Sequence, residues 1–376
     1  MPQKVLVIGG AGAFGRRLVH GLLATTDLDA VVGGRDLARA QAAADEAWQG
    51  NYPGRSTAVA INTGTATASQ LRATGASIVV DAAGPFQCQG YRLAEQSIEA
   101  GLHYIDLADS REFVSGFHSL DERARQAGVT ALTGASSTPA LSNAVLDCLT
   151  AGWLAVDDVE ITISPGNRAP RGLAVIKSIL SYSGKPVRVW DNGAWRHRPG
   201  WGLPVRKEIR GLGRRWLSLC ETPDLDVVPQ RFGVRRSVTF KAGLELPLMH
   251  LGLFVATIPV RLGLLRSLEP FADAFRRVAD LLDGWGTDRG AMVVAVSGVG
   301  SDGARATATW TLLAEAGDGP YIPTLPALAA VRALAFGNLN RPGASVCAGV
   351  LNLDAIEREF IPHRITTHVE FRSPAA

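Results

Sequence analysis

The sequence has few cysteines and no cysteine motif. Four cysteines stand far apart and form no C-x-x-C pair, which argues against structural zinc and against a disulfide framework. Scattered thiols are typical of proteins of the reducing cytoplasm, where we expect this one. No set of His, Cys and carboxylate residues has metal-ligand spacing, so no metal is expected. The cysteines are Cys88, Cys148, Cys220 and Cys347.

The chain also carries little net charge, +3 over 376 residues, so its overall electrostatics do not indicate a nucleic-acid partner. The segment 185–241 is basic and contains several tryptophans, a combination that can bind single-stranded nucleic acid. Its arginines fall among glycines and prolines without a recognisable nucleic-acid fold. We therefore expect this segment to bind no nucleic acid. It is expected to face an acidic substrate, anionic lipid headgroups or solvent.

No apolar run reaches the roughly 20 residues that a membrane span needs. The segment 244–268 is rich in apolar residues but is interrupted by Glu245, Pro247, His250, Pro259 and Arg261. It predicts a buried helix pair or a dimer-forming surface, and peripheral contact with a membrane is the alternative. At the start of the chain, the first strand begins by residue 4, so no signal peptide is expected.

A glycine-rich turn follows the first apolar run, Lys4–Ile8. Gly10 allows a tight turn, Gly12 lets the backbone approach a pyrophosphate, and Gly15 lets the following helix pack closely on the strand. The N-terminus of that helix offers free N–H groups and a partial positive charge to the phosphates. An ordinary turn that binds nothing is the alternative. The expected ligands of the diphosphate are Gly10, Gly12, Ala13, Phe14 and Gly15.

The end of the second expected strand selects the cofactor. NAD-binding proteins usually place an acidic residue there, which accepts hydrogen bonds from the ribose 2′-hydroxyl. Here the strand ends in Gly34 and Arg35, and a guanidinium suits a 2′-phosphate. We therefore expect NADP rather than NAD. Asp36 keeps NAD open as the alternative, because a shift of register would make it the ribose ligand.

The order of predicted elements indicates two domains. Residues 1–150 alternate strands and helices, which predicts a doubly wound parallel sheet of the Rossmann type. From about residue 151 to 325, period-two strands alternate with fewer helices, which predicts an α+β domain on a mixed or antiparallel sheet. We expect residues 326–376 to pack back on the first domain.

A cluster of small residues follows the fourth expected strand, at the edge where ligands bind in parallel sheets. Small residues there let a dinucleotide lie close to the backbone, and Phe86 is expected to flank the nicotinamide. A tight turn needed only for packing is the alternative. The expected contacts of the nicotinamide half are Ala83, Gly84, Pro85 and Phe86.

Several of these segments together resemble the saccharopine dehydrogenase-like family. The resemblance is clear over residues 1–150 and implies an NADP-binding Rossmann domain followed by an α+β domain that supplies substrate contacts and often a dimer surface. It also implies hydride transfer to a C=N or C=C bond. The matching segments are residues 7–12, the pair Gly34-Arg35, residues 83–86, 103–106 and 134–142.

Candidates for proton transfer stand at two further strands. Tyr104 and Asp106 lie in the fifth expected strand, and Ser137 follows the sixth. Asp106 is equally suited to cap a helix or to accept hydrogen bonds from a loop. No G-x-S-x-G motif surrounds Ser137, which argues against a hydrolase. Reduction of an iminium needs no protein acid, whereas reduction of a C=C bond needs a proton at the neighbouring carbon.

Candidate substrate contacts open the second domain. Asn167, Arg168 and Arg171 follow a strand and precede an apolar helix, a place that suits an anionic group. A solvated surface loop is the alternative. The sequence therefore predicts an NADP-dependent oxidoreductase with an anionic small-molecule substrate, acting as a homodimer. The alternatives are a non-catalytic NADP-binding sensor or scaffold and a membrane-associated lipid enoyl reductase.

Overall fold

The computed structural model describes residues 3–49, 52–87, 89–170 and 172–372. The chain divides into two compact units, unit 1 with Met1–Leu141 and Pro320–Glu359, and unit 2 with Ser142–Gly319 and Phe360–Ala376. Of the segment 326–376, expected on the first domain, the part up to residue 359 lies in unit 1. The last strand pairs instead within unit 2.

Within the described residues, unit 1 contains a seven-stranded sheet in which every pairing is parallel. Its order, β15-β6-β5-β4-β1-β2-β3, is that of a doubly wound dinucleotide-binding fold. The predicted Rossmann domain is thus confirmed. The strands, numbered along the chain, are β1 (Lys4–Ile8), β2 (Asp29–Gly34), β3 (Ser56–Ala60), β4 (Ile78–Asp81), β5 (His103–Asp106), β6 (Thr130–Thr133) and β15 (Gly343–Val346).

Helices connect these strands and bury their apolar sides on the sheet. The first helix buries Leu18, Val19, Leu22 and Leu23, the positions that its sequence periodicity predicts. Central strand β1 is apolar and buried, as expected of a parallel strand covered on both faces. The α-helices of unit 1 are α1 (Ala13–Thr25), α2 (Leu37–Trp48), α3 (Ala68–Ala73), α4 (Arg92–Glu99), α5 (Arg111–Gly116), α6 (Asp121–Gln126), α13 (Leu325–Ala335) and α14 (Leu353–Glu357).

Unit 2 contains a mixed sheet, which confirms the predicted class of the second domain. Its main path is β10-β11-β12-β7-β13-β14-β16, and β8 and β9 form a hairpin that joins at β12. Only the pair β12–β7 is parallel among the described residues. The strands are β7 (Ala155–Ser164), β8 (Pro186–Asp191), β9 (Ala194–Pro199), β10 (Val205–Ile209), β11 (Gly213–Leu219), β12 (Ser237–Ala242), β13 (Gly290–Val299), β14 (Arg305–Ala314) and β16 (Ile365–Arg372).

The segment 244–268 forms two short helices rather than a buried pair. Leu248, Leu262 and Leu264 are 70%, 68% and 73% exposed, so one side of the segment is an apolar surface. In the part of the chain that the structure describes, no helix has the length and apolar character to cross a bilayer. The α-helices of unit 2 are α7 (Ser142–Leu149), α8 (Leu173–Tyr182), α9 (Asp224–Phe232), α10 (Pro247–Ala256), α11 (Ile258–Arg261) and α12 (Ala272–Leu281).

Candidate functional site

The loop between β1 and α1 is folded tightly on itself. Gly9 has a φ of +74°, and its N–H donates to the carbonyl of Gly33 at 2.8 Å. The N–H of Gly12 returns to the carbonyl of Gly9 at 2.8 Å. A Cβ at Gly15 would overlap the carbonyl oxygen of Gly9, and one at Gly10 would lie 2.8 Å from a methyl carbon of Val32. Sequence reasoning missed Gly9, although the Gly9-Gly10 pair signals a left-handed residue.

The first turn of α1 presents unpaired backbone donors. Helix α1 begins at Ala13, and its N-cap Gly12 has no side chain to cap it. Within the described residues, the N–H groups of Ala13 and Phe14 have no backbone or side-chain acceptor. The first turn also contains no acidic residue. A helix end of this kind binds anions, because its N–H groups and its dipole both favour negative charge.

Arg35 and Asp36 take different roles at the end of β2. Arg35 directly follows the strand and is exposed. Asp36 is the N-cap of α2, and its carboxylate accepts a hydrogen bond from the N–H of Arg39 at 3.1 Å. Because one oxygen of Asp36 is committed to the helix, the arrangement favours Arg35 over Asp36 as the group that meets the ribose.

The loop after β4 packs directly against the glycine loop. A Cβ at Gly9 would lie 2.9 Å from the backbone of Ala82 and Ala83. Ala83, Gly84 and Pro85 are partly or fully exposed, as a dinucleotide contact requires. The expectation for Phe86 needs correction: its ring is buried in the core and stands 5.3 Å from the ring of Phe113. Burying this apolar ring in the core is more favourable than leaving it exposed for contact with a ligand.

Two buried carboxylates hold the loops at this edge of the sheet. Asp81 accepts from the N–H of Ala83 at 2.9 Å. One oxygen of Asp106 accepts from the N–H groups of Ala108 and Gly134 and from the hydroxyl of Thr133, at 2.8 to 2.9 Å. Asp106 therefore anchors the loops that follow β5 and β6. This is the alternative given above, in which Asp106 accepts hydrogen bonds from a loop.

Burial has the largest effect on the pKa values of Asp81, Asp106 and Tyr104. It raises the pKa of Asp81 to about 6 and that of Asp106 to about 7, while their hydrogen bonds act in the opposite direction. Burial raises the pKa of Tyr104 well above its usual range, and the charges of Asp106 and Asp81 raise it further. Tyr104 is 1% exposed and Asp106 is fully buried. Their geometry therefore fits a positioning role better than proton exchange with a substrate.

Ser137 lies on the loop that Asp106 anchors. The neighbouring hydroxyl of Ser136 donates to the carbonyl of Pro323 at 3.0 Å, and both serines are 8% exposed. Of the candidate catalytic residues, Ser137 is the one that retains some contact with solvent. Its role stays a prediction.

Two of the expected substrate contacts in unit 2 form hydrogen bonds within the fold. The side-chain amide of Asn167 is buried and donates to the carbonyls of Leu282 and Trp285 at 2.7 and 2.8 Å. Arg168 donates to the carbonyl of Gly284 at 3.2 Å. Both residues thus fix the loop after α12, which their sequence pattern did not indicate. Arg171 lies outside the described residues.

Unit 2 also contains a buried acid that sequence reasoning missed. Asp224 accepts at one oxygen from the hydroxyl of Ser142 and the amide of Asn143, both at 3.0 Å. Burial raises its pKa to about 7. The described residues contain no group of three or more His, Cys, Asp or Glu placed to hold a metal ion.

Comparison with known proteins shows what the first domain and the overall fold are similar to. Residues 5–132 match the family model described as the saccharopine dehydrogenase NADP binding domain. Apo saccharopine dehydrogenase (L-Glu forming) from Saccharomyces cerevisiae matches with a TM-score of 0.69 at 14% identity, covering 98% of this chain and 100% of that chain. An amine dehydrogenase from Mycobacterium smegmatis matches with a TM-score of 0.47 at 13% identity, covering 93% and 96%. No curated protein sequence matches the chain.

Unit 1 therefore carries a nicotinamide-dinucleotide-binding domain of an oxidoreductase type, and NADP is the cofactor that the matched domain binds. Residues 5–132, about a third of the chain, are thus similar to the NADP-binding domain of saccharopine dehydrogenase. The resemblance drawn from its motifs is confirmed. At 14% identity, the yeast structure shows a shared fold across both units.

Proposed function

We propose that the chain transfers a hydride between NADP(H) and a C=N or C=C bond of a small molecule. The observation that carries the proposal is the first turn of α1, where the N–H groups of Ala13 and Phe14 have no acceptor within the described residues. The adjoining glycine loop is bonded through Gly9 to the end of β2, the strand that Arg35 follows. The family model over residues 5–132 supports the cofactor. When bound, NADPH supplies the hydride.

The residues of unit 1 then bind and orient the dinucleotide. The N–H groups of Ala13 and Phe14 hold the diphosphate, and the guanidinium of Arg35 pairs with the 2′-phosphate. The backbone of residues 83–85 supports the nicotinamide half. Asp81 and Asp106 keep the adjoining loops in place through the hydrogen bonds described above. Catalysis comes mainly from holding the two reacting carbons together and excluding water.

A C=N substrate fits these residues better than a C=C substrate. Tyr104 and Asp106 are buried within unit 1, which leaves them poorly placed to protonate a carbon. An iminium needs no such donor. The anionic charge expected of the substrate loses the support of Asn167, whose side-chain amide is committed to the fold. Arg168 is exposed and keeps spare donors, so the charge stays a prediction.

The test is hydride transfer itself. The purified full chain is incubated with NADPH and a panel of imines, formed from 2-oxo acids and amines, beside a panel of enoyl thioesters. Oxidation of NADPH that depends on both protein and imine supports the proposal. A protein that binds NADPH tightly but oxidises it with neither panel would instead be the non-catalytic sensor or scaffold.

We also propose a homodimer in the cytoplasm. The exposed leucines of the segment 244–268 form an apolar surface of the kind that a second copy covers. The same surface supports the alternative of a lipid enoyl reductase at a membrane surface, and oligomeric state distinguishes the two. The buried Cys220 and Cys347 form no disulfide within the described residues, which is compatible with a reducing compartment.

A further inference from the structure

A second cation lies beside the first turn of α1. The side chain of Arg17 folds back along the helix, and its Nη1 donates to the carbonyl of Ala13 at 2.5 Å. Its guanidinium stands 5.3 Å from the centre of the Tyr321 ring. Its Nε is buried and has no hydrogen-bond partner within the described residues. No carboxylate of those residues forms an ion pair with it.

This placement is electrostatically unfavourable in the protein alone. The N-terminus of a helix carries a partial positive charge, which a nearby cation opposes. No acidic residue in the first turn of α1 offsets it. The neighbouring Arg16 differs, because it pairs with Glu46 at 2.9 Å and is well exposed. Arg17 is therefore a partly buried positive charge that lacks an anion.

We propose that Arg17 binds the diphosphate of the dinucleotide, together with the N–H groups of Ala13 and Phe14. The inference rests on the proposed function, since the diphosphate is that of NADP(H). A diphosphate beside this turn supplies negative charge to both the helix end and the guanidinium, whose spare N–H donors suit phosphate oxygens. The ring of Tyr321 supports the flat face of the guanidinium.

The two arginines then recognise different parts of one ligand. Arg35 meets the 2′-phosphate, which NADPH has and NADH lacks. Arg17 meets the diphosphate, which both dinucleotides contain. Adenosine 2′-monophosphate carries the 2′-phosphate without a diphosphate, so Arg35 alone should contribute to its binding.

The experiment measures the Kd of NADPH, NADH and adenosine 2′-monophosphate by calorimetry for four forms of the full chain. These are the wild type, Arg17→Gln, Arg35→Gln and, as a matched control, Arg123→Gln, which changes an exposed arginine of α6 paired with Glu95. Arg17→Gln should weaken NADPH and NADH alike, by on the order of tenfold for a lost charge-assisted hydrogen bond, and leave adenosine 2′-monophosphate unchanged. Arg35→Gln should weaken NADPH and adenosine 2′-monophosphate but not NADH. Arg123→Gln should change none of the three.

Unchanged NADPH and NADH affinity in Arg17→Gln would overturn the inference and leave the proposed function intact. A wild type that binds neither dinucleotide would overturn the proposed function itself. If Arg17→Gln does not fold, as judged by circular dichroism, the same comparison is made with Arg17→Met. That variant keeps the apolar stem over Tyr321 and removes only the charge.

Discussion

The carbonyl oxygen of Gly9 occupies the position where a side chain at Gly15 would have to begin. The strand end and the first turn of α1 are thus in direct backbone contact, with no room for a methyl group between them. The same contact directs the N–H groups at the start of the helix towards the ligand edge of the sheet. The fold of this loop and its ability to bind a diphosphate therefore depend on the same atoms.

Substitution of Gly15 should consequently affect both stability and binding. We expect Gly15→Ala to lower the free energy of unfolding by about 1–3 kcal/mol, because the new Cβ forces the backbone apart, and to abolish measurable NADPH binding. Gly252→Ala is the control: it lies in helix α10 with nothing within 4 Å of the added Cβ. Helix propensity should stabilise that variant by up to about 1 kcal/mol. Urea unfolding of both variants makes the comparison, and equal effects would contradict the account.

The neighbouring residues Arg35 and Asp36 should separate cofactor choice from helix capping. Asp36→Ala removes the N-cap of α2 and should cost about 1 kcal/mol of stability, while the ratio of NADH to NADPH affinity stays as in the wild type. Arg35→Ala should do the reverse, with NADPH affinity falling and stability unchanged. Thermal unfolding with and without each cofactor measures both quantities. A change of cofactor preference in Asp36→Ala would assign the ribose contact to that carboxylate.

The buried acid Asp224 should make stability depend on pH. Its pKa is about 7 in the native protein but about 4 when unfolded. Between these values the native state keeps a proton that the unfolded state has released, so the free energy of unfolding falls as the pH rises. The contribution is fully present below about pH 4 and is lost as the pH rises through about 7.

Asp224→Asn cannot ionise, so it should flatten this fall by up to about 1.4 kcal/mol per pH unit. The amide oxygen of Asn can still accept from Ser142 and Asn143. Asp226→Asn is the control, because Asp226 lies in the same helix at a more exposed position and pairs with Arg188. Urea titrations at about pH 5, 6 and 7 give the slopes. Parallel slopes for wild type and Asp224→Asn would show that Asp224 is ionised in the native protein.

The apolar surface of the segment 244–268 should determine assembly. Leu262→Glu with Leu264→Glu places two charges on it and should convert a dimer to a monomer in sedimentation velocity without lowering the melting temperature, because both side chains are exposed. Lys177→Glu changes charge on another helix and serves as control. If the wild type is monomeric and pellets with anionic liposomes, and the double variant no longer pellets, the surface binds a membrane instead.

A strand could be predicted from the sequence where its own residues form a recognisable apolar run. Strands β1, β2 and β4 are short apolar runs buried in a parallel sheet, and their residues alone indicate them. Strand β15, with the sequence GASV, has no such run and joins the sheet from about two hundred residues further along. Its assignment depends on long-range pairing that periodicity does not encode.

In the candidate site, too, some residues have a local sequence signal and others depend on long-range contacts. The glycine loop and Arg35 carry a local motif, so they could be placed before the structure was known. Phe86 and Asn167 stand in segments whose composition suits a ligand, but one packs on Phe113 and the other binds the loop after α12. The sequence did not indicate Arg17, because its significance lies in the lack of an acidic partner within the described residues. Such facts require coordinates.

The central claim is that the first turn of α1 receives the diphosphate of NADP(H). Calorimetric titration of the purified full chain with NADPH, and separately with NADH, tests it most directly. The account predicts saturable binding of both, with NADPH bound more tightly because Arg35 adds a contact to the 2′-phosphate. Absence of heat and of any thermal stabilisation at saturating NADPH would contradict it.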